Sequence, residues 1–267
     1  PRWRKAWDWA LFAGAAVPPL IFGVAFGNLL QGVPFHFDEN LVSTYTGSFW
    51  GLLNPFALLC GLVSTAMITC HGAVYLAHRT EGDIQQRATR AATIFGILLL
   101  IGFAAAGLWL AKGIDGYTIT SAIDHNGPAN PLAKTVVREA GAWLANYGHA
   151  PLMLVLPGLA FLGCIAAILL VRSGRTLSAF VASSLMLIGV IGTAGGSMFP
   201  FVMPSSSHPE ASLTVWDSTS SPTTLTIMLF VTAVFVPLII FYTGWAYRVM
   251  SGKVTGDFVK KNEHSAY

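Results

Sequence analysis

Long apolar runs alternate with short polar segments along this chain. Six runs are long enough for the roughly 20 residues that a membrane-spanning helix needs, near residues 9–30, 50–77, 91–111, 150–171, 176–203 and 223–247. None contains Asp, Glu, Lys or Arg, and none shows the alternation over about ten residues that marks lipid-facing strands. The pattern predicts an all-α fold, a polytopic membrane helical bundle with six transmembrane helices in a single membrane domain over residues 1–267.

The basic residues between the runs predict an orientation. Only Lys112, Lys134 and Arg138 fall in the segments on one side. The other side carries Arg2, Arg4, Lys5, Arg79, Arg87, Arg90, Arg172, Arg175, Arg248, Lys253, Lys260 and Lys261. Because Lys and Arg accumulate in cytoplasmic loops, the richer side is predicted to be cytoplasmic. Both ends of the chain would then face the cytoplasm, as an even number of spans requires.

The outer segments contain two further patterns. Turn residues occur in "DHNGPANP" (124–131), and apolar residues at helical spacing follow, so we expect an amphipathic surface helix near 132–147. Within the spans, Gly23-x-x-x-Gly27 and Gly192-x-x-x-Gly196 fit tight helix pairs. Glycine is also common in membrane helices without such a role, and the sequence leaves both interpretations open.

Composition excludes several classes of protein. Hydrophobic residues make up 54% and charged residues 10% of the chain, far from the roughly 25% charged residues of soluble domains. Since the net charge is only +3, nucleic acid is not expected as a partner. Cys60, Cys70 and Cys164 all lie in apolar runs without a CxxC pair, which argues against disulfides, thiolate metal sites and covalent haem.

Titratable groups that could do chemistry are scarce. No catalytic triad, phosphate loop or HExxH occurs, so we expect neither a catalytic nor a metal site. His36, His125, His149 and His208 lie in outer segments without metal-type spacing. His71 is the one candidate inside a span for a haem ligand or proton relay. The favoured alternative is a neutral imidazole hydrogen-bonded to a neighbouring helix, because no other span supplies a histidine at similar depth.

Two more polar residues accompany the spans. Asp8, next to Trp9 in "WDW", lies where the first span meets the membrane surface. It is a candidate for proton entry, but we favour an interfacial acid satisfied by Arg4 or Lys5. Asn54 in "LLNPF" is predicted to hydrogen-bond across helices. From the residues alone the chain is a scaffold or partner subunit, with a small secondary transporter or permease as the alternative and a membrane haem carrier as a third.

Several long strings resemble subunit II of the cytochrome bd ubiquinol oxidase family. They are "PPLIFGVAFGNLLQGVPF" (18–35), "GLLNPFALLCGLVS" (51–64), "GIDGYTI" (113–119), "NPLAKTVVREAGAWLANY" (130–147), "MFPFVMPSSSHPEASLTVWDSTSS" (198–221) and the closing "NEHSAY" (262–267). They run in matching order over essentially the whole chain. The chain starts at Pro1 without Met, and the family's subunit has eight spans, so we expect that this chain corresponds to the last six.

The resemblance implies a bacterial inner-membrane oxidase that oxidises quinol and reduces O2 to water. Its b-type and d-type haems are expected on subunit I, not ligated by this chain, which would stabilise subunit I and help shape O2 and proton access. The family's acidic proton-path residues lie mainly in the absent spans and map onto no position here. A structural quinone, a small single-helix accessory subunit and membrane lipid are further expected partners.

The polar segment 198–221 raises the question of a catalytic site. Pro200 and Pro204 are predicted to end the fifth span, and Glu210 and Asp217 are its only charges. The low charge predicts a segment packed against protein, in which Ser205, Trp216 and Asp217 fix its shape or a partner contact. We interpret it as a lid that joins two spans, against a catalytic role for Asp217.

Overall fold

Six apolar helices dominate the computed structural model, which describes residues 3–122, 130–249 and 251–255. The helices long and apolar enough to cross a membrane are α1 (Arg4–Gln31), α2 (Pro55–Arg79), α3 (Gly82–Gly113), α5 (Val155–Arg172, with a 3-10 turn at Pro151–Leu154), α6 (Thr176–Met198) and α7 (Pro222–Val249). One short helix, α4 (Ala142–His149), lies outside them. The prediction of an all-α polytopic membrane bundle with six spans is confirmed.

The helix ends differ from the predicted runs. The second begins at Pro55, because Trp50–Leu53 forms a 3-10 turn and Asn54 is the N-cap. The fifth ends at Met198 and not at 203. The third begins at Gly82, ahead of the apolar run, and includes charged side chains in its first turns. Hydropathy marks only the part of a helix that lipid requires to be apolar, so it misses turns that extend beyond it.

Close backbone approach holds two helix pairs together. A Cβ on Gly23 would lie 2.3 Å from the Cys60 carbonyl oxygen, and one on Gly27 would lie 2.6 Å from the Ala57 Cα. The first glycine pair therefore marks tight α1–α2 packing, as small residues allow in membranes. The second pair does not mark a backbone contact, because Gly192 and Gly196 face side chains.

The backbone of α6 approaches α5 elsewhere. A Cβ on Gly189 would lie 2.2 Å from the Ala160 nitrogen, and one on Gly163 would lie 2.9 Å from the Met186 nitrogen. A second group of contacts is a core of small side chains where α2, α3, α5 and α6 meet. It includes Ala73, Ala77, Ala88, Ala92 and Ala179. The four helices thus form the packed centre of the bundle.

Helix α7 stands apart from this centre. No side chain of α7 is buried, although its sequence is strongly apolar. The chain after it returns to the bundle, where the Val254 amide donates to the Arg79 carbonyl at 2.8 Å and Lys253 pairs with Glu81 at 3.5 Å. Among the described residues, the segment after α7 therefore contributes a hydrogen bond and an ion pair to the bundle.

Three antiparallel strand pairs cover one end of the bundle. They are β1 (Phe35–Phe37) with β2 (Ser43–Tyr45), β3 (Asp115–Ile119) with β4 (Val136–Ala140), and β5 (Phe201–Met203) with β6 (Leu213–Thr214). With their connecting segments, the described residues of 32–53, 114–154 and 199–221 form what we call the strand cap. These pairs were not predicted, because each strand is short and pairs across a loop.

The predicted surface helix near 132–147 is wrong in its first part. Val136–Ala140 is strand β4, and Gly141, with φ of +80°, separates it from α4. β-branched residues favour the extended strand, and an αL glycine interrupts a continuous helix. Trp143 is 2% exposed, so its ring packs into protein and not onto lipid, whereas Val137 and Leu144 remain exposed.

Some predicted features lie outside the described residues. They are residues 124–129 of the turn predicted at 124–131, with His125, the closing segment 262–267, and the charges of Arg2, Lys260 and Lys261.

Candidate functional site

A buried ion pair joins two segments of the strand cap. The Lys134 ammonium lies 2.7 Å from the Asp217 carboxylate, and the two side chains are 3% and 10% exposed. Lys134 also donates to the Pro131 carbonyl at 2.6 Å. The same Asp217 oxygen accepts from the Thr214 amide at 3.1 Å and from the Thr214 hydroxyl at 2.6 Å. Asp217 is thus fully committed to holding the cap together.

Ser205 links the 199–221 segment to the segment after α1. Its side chain is completely buried, and its hydroxyl donates to the Phe35 carbonyl. Its amide donates to the Ser212 hydroxyl at 2.9 Å. Next to it, the Val33 amide donates to the carbonyl of buried Pro204 at 2.9 Å. The bonds of Ser205 fix the shape of the segment, as predicted for that residue. Pro204 was predicted only to end the fifth span, which ends earlier, at Met198.

Pro200 and Trp216 lie where the segment leaves α6. The Phe199–Pro200 peptide is cis, and the Pro200 carbonyl accepts from the Val215 amide at 2.9 Å. The Trp216 ring meets Phe199 edge-on, with centroids 6.2 Å apart. Trp216 is half-buried and lines a cavity of about 400 Å³ with His149 and Asn146.

Asn54 is the centre of a polar network between α1 and α2. Its Oδ1 accepts from the Ala57 amide at 2.9 Å, which is an N-cap contact, and from Gln31 Nε2 at 2.7 Å. Its Nδ2 donates to Asn28 Oδ1 at 3.0 Å. Asn28 in turn donates to the Leu52 carbonyl at 2.7 Å. The contact across helices predicted for Asn54 is present, and the cap end of α1 is fixed by it.

Aromatic side chains fill the space between the cap and the helices. Trp143 donates its indole N–H to the Leu30 carbonyl at 2.8 Å, and the Tyr117 hydroxyl donates to the Gln31 carbonyl at 3.2 Å. Burial raises the pKa of the Tyr117 phenol, while Arg138 nearby lowers it by a smaller amount. These contacts were not predicted: Trp143 was assigned to the apolar face of a surface helix, Lys134 was used only for orientation, and Tyr117 was not considered as a site residue. A lysine in an otherwise cation-poor segment was the only available signal.

A large apolar cavity lies under the cap. It has a volume of about 910 Å³ and is lined by the six helices α1 to α6 and the turn before α5. Phe22, Phe26, Phe103 and Phe161 contribute much of the wall. Tyr147 provides one of few polar groups, and its hydroxyl lies 3.0 Å from Ser197 Oγ. Such a cavity suits a long hydrocarbon ligand and not an ion.

His71 lies at the contact of α2 with α6. Its Nδ1 is 2.9 Å from Ser183 Oγ, and its ring stacks on Phe180 with centroids 5.0 Å apart. Because the Ser183 hydroxyl donates to the Phe180 carbonyl, Nδ1 of His71 is the donor in their contact. This is the hydrogen-bonded imidazole of the favoured interpretation.

No set of ligands surrounds His71. In the described ranges no group of three or more His, Cys, Asp or Glu side chains could hold a metal ion. A bis-histidine haem held by this chain would need a second histidine at the depth of His71 on a neighbouring helix. The described residues supply none there, and His78 on the same helix is bonded to Thr176.

Asp8 and Trp9 lie exposed on the first turns of α1. Trp9 meets Phe12 edge-on at 5.7 Å. The expected pairing of Asp8 with Arg4 or Lys5 is wrong, since Asp8 forms no ion pair with any described residue. All three side chains are exposed, and in water an ion pair contributes too little to hold long side chains in one geometry. Asp8 and Trp9 therefore contact neither the strand cap nor the apolar cavity.

Comparison with known proteins gives the family. The family model described as cytochrome bd terminal oxidase subunit II matches residues 1–250. The chain is 51% identical over 266 residues to "Cytochrome bd-I ubiquinol oxidase subunit 2" of Escherichia coli strain K12, covering 100% of this chain and 70% of that protein. The chain is also 51% identical over 267 residues to "Probable cytochrome oxidase subunit 2" of Haemophilus influenzae, again covering 100% of this chain and 70% of that protein.

A more distant relative agrees. The chain is 29% identical over 258 residues to "Cytochrome bd ubiquinol oxidase subunit 2" of Bacillus subtilis, covering 95% of this chain and 65% of that protein. The region matched by the family model, residues 1–250, includes every helix and strand described here, from α1 to α7. The chain therefore belongs to the cytochrome bd terminal oxidase subunit II family.

Proposed function

We propose that this chain acts as the non-haem-ligating subunit II of a cytochrome bd-type terminal quinol oxidase. In that complex quinol is oxidised and O2 is reduced to water. The observation that carries the proposal is the family match over residues 1–250, together with 51% identity to a ubiquinol oxidase subunit 2. It displaces the transporter and haem-carrier alternatives, since neither is favoured by any contact in the structure.

The role of the chain follows from the chemistry of its residues. His71 has no second histidine for a bis-histidine haem, and Asn54, Ser205 and Asp217 serve capping or packing. We assign the haems to the partner, subunit I, which this chain stabilises. Lipid and that partner, with a small single-helix accessory subunit as a further candidate, cover its apolar faces, among them the fully exposed surface of α7.

A pull-down tests the assignment. A tagged copy of the chain is purified from membranes in mild detergent, and the eluate is examined by reduced-minus-oxidised absorption and quinol-driven O2 uptake. We expect a larger co-purifying subunit, a far-red band of a d-type haem, and uptake of O2. A colourless eluate from a chain that is present and folded would contradict the oxidase assignment.

We further propose that the strand cap faces outward and that both chain ends are cytoplasmic, in a bacterial inner membrane. The support is the charge distribution: the helix ends and short connections opposite the cap carry Arg79, Arg87, Arg90, Arg172 and Arg175. Labelling of single-cysteine variants in intact cells tests this. Asn40→Cys in the cap should react with an impermeant maleimide, and Ser173→Cys should react only after lysis. The reverse pattern would invert the orientation.

The apolar cavity supports a structural quinone as its occupant. The isoprenoid chain of a quinone matches a cavity of about 910 Å³ whose wall is almost entirely apolar. The same apolar path favours O2 over water, so the cavity would also help to shape O2 access.

Filling the cavity tests the quinone proposal. Gly107 lines it, and a Cβ there would meet no atom within 4 Å, so Gly107→Phe should insert a ring into free space. Solvent extraction of the purified complex should release a quinone from the unchanged protein and less from this variant. Gly14→Phe, at an exposed position, is the matched control. Equal quinone in all three proteins would refute the proposal.

A further inference from the structure

Two histidines far apart in the chain meet on the strand cap. His36 lies in β1 and His208 follows β5, and their ring centroids are 5.1 Å apart with planes inclined by 43°. Their separation in sequence shows no metal pattern, so only the fold brings them together. Neither histidine has a part in the proposed function, and a role for the pair is independent of it.

The backbone that carries both rings is fixed. The hydroxyls of Ser205 and Ser207 both donate to the Phe35 carbonyl, next to His36. The Val33 amide donates to the Pro204 carbonyl, and the Ser206 amide donates to the Val33 carbonyl at 3.1 Å. The two imidazoles are therefore held at their spacing by bonds on either side and do not meet through free loop motion.

The hydrogen bonds also leave nitrogen lone pairs available. Ser207 uses its one hydroxyl proton on the Phe35 carbonyl, so in its 3.2 Å contact with His208 Nδ1 the nitrogen is the donor. His208 Nε2 then carries a lone pair. His36 Nδ1 is buried and has no hydrogen-bond partner among the described residues. A metal-bound histidine commonly has this arrangement, with its other nitrogen fixed by a hydrogen bond.

The spacing of the rings fits a shared metal ion. Two imidazoles that bind one tetrahedral ion through nitrogens at about 2.0–2.1 Å have centroids about 5 Å apart. The observed separation is 5.1 Å. We propose that His36 and His208 form a site for a divalent transition-metal ion, Zn²⁺ or Cu²⁺, which joins the segment after α1 to the segment after α6. Imidazole is a favoured ligand of both ions.

The rest of the coordination shell comes from water. No third His, Cys, Asp or Glu completes a group in the described ranges, and His208 is exposed. The site is consequently an exchangeable one and not a closed structural centre.

Copper binding to the intact complex tests the proposal. Metal-stripped, air-oxidised oxidase is titrated with Cu²⁺ and followed by electron paramagnetic resonance, without quinol. We expect the unchanged complex to give one Cu²⁺ resonance signal with nitrogen ligation. The Cu²⁺ affinity taken from the titration should fall by about tenfold or more in both His36→Ala and His208→Ala. His149→Ala, which removes another exposed imidazole of the cap, should leave that signal unchanged.

Two results would overturn the site. One is an unchanged signal in both variants, and the other is loss in only one, which would show a single surface imidazole. If His36→Ala disturbs assembly, His36→Phe, which keeps an aromatic ring at that position without a nitrogen ligand, takes its place beside His208→Ala. Zn²⁺ should also raise the melting temperature of the unchanged complex and not of His208→Ala; equal stabilisation of both contradicts the site.

Discussion

Replacing Asp217 with alanine should destabilise the strand cap strongly. Among the described residues, the change leaves the Lys134 ammonium, 3% exposed, with the Pro131 carbonyl as its remaining partner. It also removes the acceptor for two bonds from Thr214. Loss of one member of a buried ion pair costs about 3–5 kcal/mol, which corresponds to a melting-temperature decrease on the order of 10 °C.

The exposed pair between Arg138 and Asp115 is the matched control. Its atoms are 4.0 Å apart and its side chains 37% and 53% exposed, so Asp115→Ala should cost at most about 1 kcal/mol. The double variant Lys134→Met with Asp217→Leu should recover part of the loss, because removing both charges leaves no unpaired ion, whereas the two Thr214 donors still lack their acceptor.

Thiol labelling measures these effects on this chain. Cys70 and Cys164 are fully buried, so they react with a maleimide dye only when the bundle unfolds. The purified complex is heated, pulsed with dye and separated on a gel, so that the labelled chain is read alone. If Asp217→Ala melts together with Asp115→Ala, the buried ion pair does not stabilise the cap and our reasoning is refuted.

Three more changes have definite expected outcomes. Gly23→Val should force α1 away from the Cys60 carbonyl and lower the free energy of unfolding by about 1–3 kcal/mol or more. Gly14→Val, in open space, should be near neutral in the same labelling assay. Equal effects of the two changes would contradict tight α1–α2 packing. Asn54→Ala should lose about 1–2 kcal/mol through its cap and network bonds, and Asn54→Asp should recover the cap; a neutral Asn54→Ala would show that the network is dispensable. Because burial raises the pKa of Tyr117, its contribution is complete below about pH 10 and lost as pH rises through the raised value. Fluorescence melting across that range should therefore show a weaker alkaline loss in Tyr117→Phe, and identical pH profiles would contradict it.

The spans were predictable because each one is decided locally. A helix in lipid must satisfy its own backbone and present apolar side chains, so about 20 residues contain the signal. The predicted helix ends were less accurate in two situations. At Gly82, charged turns of the helix extend past the apolar run, and at Phe201 an apolar run continues into a strand.

The strand cap was not predictable in the same way. Its strands are short, and its tertiary contacts join residues far apart, such as Lys134 with Asp217 and Ser205 with Phe35. Trp143 shows the difficulty: its spacing suggested a lipid-facing helix, but the ring is buried under the cap. Asn54, Ser205 and Asp217 do lie in the kinds of contact proposed from the sequence, and their functional importance stays a prediction.

The haem content of the complex tests most directly whether this chain ligates no haem. His71 is the one imidazole of this chain placed well inside a span, so a complex carrying His71→Phe is purified and its haem-to-protein ratio and reduced-minus-oxidised spectrum are compared with those of the unchanged complex. We expect the same ratio and the same b-type and d-type bands, since the haems are assigned to subunit I. Loss or displacement of one haem band, in a complex that still contains both subunits, would contradict that assignment.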